Sequence, residues 1–123
     1  MRQAGRSLPE YNARKGATPF MEAIRDVALA TELTMQPVRR YGVDGAVVYS
    51  DILTIPQALG LEISIDGRVV VHNPIDETTD VASLRFDASS LTFVYDVVRS
   101  VHEALIEESL PDVAVIGFSG APW

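Results

Sequence analysis

The apolar positions fall into helical spacing twice and into two continuous runs, and these four stretches organise the 123-residue chain. Residues 1–18 are polar, carry Gly5, Pro9 and Gly16, and read as loop. Residues 19–25 (PFMEAIR) predict a short helix, with Thr18 as its cap and Pro19 at its first position. Asp26 is placed to cap a second helix through about Arg40, whose apolar face takes Leu29 and Leu33 with Met35 or Val38. Pro37 falls inside that helix and predicts a kink or an early end; Gly42 closes it. The run GAVVY (45–49) is continuously apolar and rich in valine, the mark of a strand covered on both faces, as in a parallel sheet. It ends in Ser50-Asp51.

Residues 52–59 (ILTIPQAL) predict a helical turn or two stopped by Gly60. Residues 61–65 and 68–72 flank Asp66-Gly67, a two-residue hairpin signal, and Asn73-Pro74 ends the hairpin. Residues 78–85 predict a short helix capped by Thr78 or Thr79. The strongest helix covers 90–108, capped by Ser89 or Ser90, with Leu91, Val94, Val98, Val101 and Leu105 on one face. Pro111-Asp112 breaks it, and VAVIGF (113–118) is the second apolar run. Two parallel-type strands joined through a helix make a β-to-helix-to-β unit of the α/β class. Two strands alone make no parallel sheet covered on both faces, so the pattern suits part of a larger domain. No internal repeat or low-complexity segment interrupts it.

Charge changes the picture at the amino terminus. The net charge is -7, which argues against general nucleic-acid binding. Yet residues 1–15 hold Arg2, Arg6, Arg14 and Lys15 against only Glu10. Arginine presents a rigid fork of donors that fits carboxylate or phosphate. Charge alone favours the plainer reading, a solvated terminus with ordinary ion pairs. No stretch is long and apolar enough for a membrane span, and the basic opening is no secretory signal. The chain has no cysteine, which removes disulfides and thiolate chemistry and is compatible with a reducing cytosol. A cytoplasmic location is the expectation.

Candidate chemistry is sparse. Asp51 stands directly after an apolar strand, where α/β proteins gather their ligands. Its carboxylate suits hydrogen bonds from a ligand's N–H groups or acid–base work; it equally suits a cap for the turn that follows, and position alone does not separate the two. Arg2 and Arg6 suit bidentate grip on an anion, with Gly5 allowing close backbone approach. Gly117 and Gly120 bracket the end of the second run, and their default reading is a tight turn. His72 reads as a surface residue and His102 as an edge residue of the last helix. Neither has a ligand partner at helical spacing, so no metal site is expected. A phosphate loop, a nucleophile elbow and a dinucleotide fingerprint are absent from the sequence.

Three stretches carry more. MRQAGR with LPEY (1–11), YSDILTIPQALG (49–60) and GFSGAPW (117–123), in this order and spacing and with NPI (73–75) between them, resemble the uroporphyrinogen decarboxylase family. The resemblance implies a (β/α)8 barrel. Such barrels take about 250 residues, so residues 1–123 are expected to form a single incomplete domain, roughly the first third of one. It implies cofactor-free, metal-free removal of the four acetate carboxyl groups of uroporphyrinogen, giving coproporphyrinogen in haem and porphyrin synthesis. Asp51 would accept hydrogen bonds from the pyrrole N–H groups, and Arg2 and Arg6 would bind substrate carboxylates, one of them with a share in proton delivery. Gln3 and the backbone near Phe118 and Gly120 would line the pocket. The family commonly has an aromatic residue where this chain has Ser7, which implies looser packing of that loop.

The resemblance further implies a tetrapyrrole substrate and a homodimeric full-length parent. Two other functions compete with this one. A non-catalytic anion or porphyrinogen binder would need only Asp51 and the arginines. A corrinoid-dependent methyltransferase fragment would share the barrel but is expected to bind zinc through His and Cys. For the isolated chain, the expectation is poor activity and a tendency to associate, because an incomplete barrel leaves strand edges unpaired.

Overall fold

Asp26 starts the longest helix of the amino-terminal half as its sequence position predicts: its carboxylate accepts the Leu29 N–H at 3.0 Å. The structure, a computed structural model, describes residues 4–120. It contains helices α1 (Pro9–Lys15), α2 (Phe20–Ala23), α3 (Val27–Tyr41), α4 (Thr54–Ala58) and α5 (Thr92–Glu107). Its strands are β1 (Gly45–Val47), β2 (Ile63–Asp66), β3 (Arg68–Val71) and β4 (Ala114–Ile116). The chain divides into two compact units, residues 4–50 with 93–118 and residues 51–92 with 119–120.

The first unit is a parallel β-α-β arrangement. β1 pairs with β4 in parallel, Gly45 opposite Ala114 and Val47 opposite Ile116. The Val48 N–H extends the ladder to the Ile116 carbonyl at 3.0 Å. Ala46 and Val48 are buried with Leu33, Met35 and Val38 of α3 and Val97, Val101 and Leu105 of α5. The valine-rich runs predict strands covered on both faces, and the structure differs. Val47 is 42% and Ile116 45% exposed, because the two helices cover one face only. The buried face of α5 also differs from the expected one. Val97 is buried and Val98 is 40% exposed, and His102 is exposed rather than an edge of the packed face.

Pro37 does not end α3. The helix runs to Tyr41, and Gly42 closes it in the left-handed conformation (φ 61°), its N–H on the Val38 carbonyl. Within the stretch expected as loop, two helical elements form among the described residues. Ala4–Ser7 form a 3-10 turn and Pro9 begins α1, which Gly16 ends at φ 52°. Leu8 and Tyr11 drive this, since both are buried in the core of the unit. α2 begins one residue later than predicted, with Pro19 as the flanking residue and no side-chain cap.

On the outer side of this unit Arg39 donates from Nη2 to Glu108 at 2.6 Å and from Nη1 to Glu32. The Arg39 guanidinium holds the Glu108 carboxyl below the usual carboxylate range. A depressed carboxyl contributes stability above its unfolded value and loses it as the pH falls through the folded one. Glu108→Gln is therefore expected to cost about 0.3–1 kcal/mol at pH 7, since the pair is partly exposed. In urea titrations the gap to the parent should start to shrink below about pH 4.3, the value of an unfolded Glu, and close on further acidification. A gap that grew on acidification would contradict the assignment.

The second unit holds α4 and the antiparallel hairpin. β2 and β3 pair from Ile63–Val71 to Asp66–Arg68, so Gly67 alone stands at the apex, at φ 67°. This is tighter than the expected two-residue loop. Asn73 clips the hairpin base, accepting the Glu62 N–H and donating to the Gly60 carbonyl. In place of the helix expected over 78–85 there is a 3-10 turn, Val81–Ser83, capped by Asp80, while Thr78 and Thr79 bond the Asp76 carboxylate. Asp87, not Ser89 or Ser90, caps the approach to α5: it accepts the Ser89 N–H and opens a 3-10 turn, Ala88–Leu91.

Candidate active site

The residues singled out in sequence fall in different parts of the chain. Arg6 and Phe118 belong to the first unit, Asp51 and Gly120 to the second, and Arg2 and Gln3 lie outside the described residues.

Asp51 is half-buried and follows β1 after the buried pair Val48-Tyr49. Its Oδ1 accepts the Leu53 N–H at 2.7 Å, and its carbonyl accepts the Thr54 hydroxyl at 3.0 Å. The turn-capping role is thus present, and it uses one carboxylate oxygen. Oδ2 takes no hydrogen bond among the described residues. A short polar residue that caps its own turn through one oxygen is fixed in orientation and still offers the other to a ligand. Gly120 belongs to the same unit, where a side chain at its position would meet Ile52, the neighbour of Asp51, at 3.9 Å.

Arg6 sits in the 3-10 turn with its residue exposed. Its guanidinium carbon lies 5.2 Å from the Phe20 ring centroid and 5.8 Å from that of Tyr49. Those rings meet edge to face at 5.6 Å and 71°. The Tyr49 hydroxyl is 3.1 Å from the Tyr11 hydroxyl, and its backbone N–H donates to Thr34 Oγ1 at 2.9 Å. Thr34 in turn donates to the Ala30 carbonyl, which ties the end of β1 to α3. Burial, and then the Tyr11 hydroxyl, push the Tyr49 phenol well above its ordinary value, against a smaller opposing pull from Arg6. Tyr49 is therefore neutral at physiological pH. Arg6, Tyr11, Tyr49, Thr34, Pro37 and Val47 line a cavity of about 110 Å³.

Phe118 is 45% exposed beyond β4. Among the described residues no group of His, Asp or Glu side chains is arranged to hold a metal ion. Sequence reasoning missed Tyr11, Phe20, Thr34 and Tyr49. The aromatic residues of LPEY and YSDIL were the available signal, since each stands within a few residues of a singled-out charge.

The family model described as uroporphyrinogen decarboxylase (URO-D) matches residues 1–123, the whole chain. The chain belongs to the uroporphyrinogen decarboxylase family. It is 46% identical over 128 residues to a uroporphyrinogen decarboxylase of Cupriavidus metallidurans and 46% identical to one of Ralstonia pickettii. It is 43% identical over 132 residues to one of Magnetococcus marinus. In each case all of this chain is covered and 35% of the relative, so the chain spans about a third of the length of the curated relatives it matches. No helix among the described residues is long and apolar enough to cross a membrane.

Proposed function

We propose that the protein carrying this chain is a uroporphyrinogen decarboxylase, removing the four acetate carboxyl groups of uroporphyrinogen to leave coproporphyrinogen. Residues 1–123 supply roughly the first third of a single (β/α)8 barrel domain. The observation that carries this reading is the family match over the entire chain. The names of the matched relatives favour it over corrinoid-dependent methyl transfer on the same architecture.

The chemistry suits the residue types. Uroporphyrinogen carries eight carboxylates around four pyrroles whose N–H groups point inward. In this proposal Asp51 accepts hydrogen bonds from those N–H groups. A pyrrole ring carbon is protonated, the ring becomes cationic, and the bond to the acetate carboxylate breaks to release carbon dioxide. The electron pair of that bond flows into the cationic ring and leaves a neutral exocyclic methylene. A proton added at the methylene carbon makes the methyl group, and loss of the proton first added to the ring carbon restores the pyrrole. A fixed anion beside a developing cation lowers that barrier electrostatically. Arg2 and Arg6 hold substrate carboxylates through bidentate forks, and one of them contributes to proton delivery. Gln3, Phe118 and Gly120 line the pocket. Metal and cofactor have no part in this scheme, and the full-length protein acts as a homodimer.

The test is anaerobic incubation of the protein, as its source cell makes it, with uroporphyrinogen. Products are resolved by chromatography and the intact mass of the protein is measured. Stepwise loss of four carboxyl groups is expected, from a protein about three times the mass of this chain. Tight binding of uroporphyrinogen without turnover would replace this reading with that of a non-catalytic binder.

A further inference from the structure

Arg6 is an exposed residue on a short turn, a setting in which a long cationic side chain ordinarily samples many rotamers. Here two aromatic rings at 71° to each other form a corner, and the guanidinium carbon lies within 6 Å of both centroids. A cation over one ring face is attracted by the ring quadrupole; two crossed faces also restrict its tilt. The corner is itself braced. Tyr49 is 3% exposed and fixed at both ends, its backbone N–H on Thr34 and its hydroxyl on Tyr11 of α1. The Tyr11 ring adds a second edge-to-face contact, at 6.0 Å and 62°. Two elements, α1 and α3, therefore brace one tyrosine of the segment after β1, and that tyrosine faces Arg6.

We propose that Phe20 and Tyr49 are positioning residues for Arg6, holding its guanidinium in one orientation so that a substrate carboxylate meets a preformed fork. Ordering of the arginine is then largely complete before substrate arrives, which lowers the entropic cost of binding. The inference rests on the proposed role of Arg6 in uroporphyrinogen binding. The ring of Tyr49 does the positioning, and its hydroxyl serves to anchor that ring.

Two readouts test this in the full-length protein. The first does not depend on turnover. In protein labelled with 15N-arginine, the Arg6 Nε–H resonance should be shifted by the ring currents of both aromatics and move toward the ordinary arginine position in Tyr49→Leu and in Phe20→Leu. The second is kinetic. Tyr49→Leu is expected to raise KM for uroporphyrinogen about tenfold, equivalent to about 1.4 kcal/mol, with kcat changed less than about threefold. Tyr49→Phe, which keeps the ring, should recover most of that loss. A purely structural role would instead lower the folded fraction and the apparent kcat while leaving KM in place. An unshifted Arg6 resonance in the parent, or an unchanged KM in Tyr49→Leu, overturns the inference. If the parent does not turn over uroporphyrinogen, the functional reading fails on its own, and the resonance still decides whether the corner holds Arg6.

Discussion

Asp51→Asn in the full-length protein is expected to lower kcat/KM for uroporphyrinogen by about 10²–10³-fold, the scale seen when one electrostatic group is removed from a charge-stabilising site. The substitution isolates charge from structure. Asparagine keeps an oxygen for the Leu53 N–H, which Asp51 accepts at 2.7 Å, and Asn and Asp serve comparably in such turns. Stability should therefore move by less than about 0.5 kcal/mol. Asp51→Ala removes both functions and should add about 1 kcal/mol of destabilisation to the same catalytic loss. Turnover by the Asn variant within threefold of the parent would show that Asp51 serves only the turn before α4. Anaerobic kinetics and urea melts on both variants give the answer.

Met35→Ala is expected to cost about 2–5 kcal/mol in unfolding free energy. Met35 is fully buried on α3, among the residues that pack that helix against α5 and β1. Its removal leaves a cavity in the one layer that covers the parallel strands, and a typical domain has only about 5–15 kcal/mol to lose. Met35→Leu nearly conserves volume and should cost less than about 1.5 kcal/mol. Denaturant unfolding followed by tryptophan-independent circular dichroism distinguishes these outcomes. A loss below about 1 kcal/mol for the alanine variant would mean that α3 packs through a different face.

The elements most legible in the sequence were those with local chemistry at both ends. Asp26 and Gly42 bounded α3 correctly because a cap and a left-handed stop act on their own neighbours. The strands 45–47 and 114–116 followed from their valine-rich runs, and their parallel pairing from the helix between them. α1 was not legible, because only Leu8 and Tyr11 among its polar neighbours carry it, and their burial is decided by distant partners. The face of α5 was ambiguous for a different reason: valines at 94, 97, 98 and 101 satisfy helical spacing on two overlapping stripes. Only packing against α3 and β1 selects Val97. The site shows the same division. The place of Asp51 after a strand, and its fitness to cap the turn that follows, were visible in the sequence. The aromatic corner around Arg6 was not, since Tyr11 and Tyr49 are 38 residues apart and meet only in the folded unit.

Pro37 and Gly5 form a lock whose two halves are far apart in sequence. A Cβ on Gly5 would sit 2.9 Å from Pro37 Cγ and 3.7 Å from the Leu33 carbonyl, the group to which a proline at 37 brings no N–H. The ring of a residue that normally weakens a helix thus becomes a flat ledge, and the turn carrying Arg6 rests its one side-chain-free position on it. In a combinatorial library, positions 5 and 37 should therefore be inherited as a pair. Alanine at 5 would be selected together with a smaller residue at 37 and counterselected beside proline.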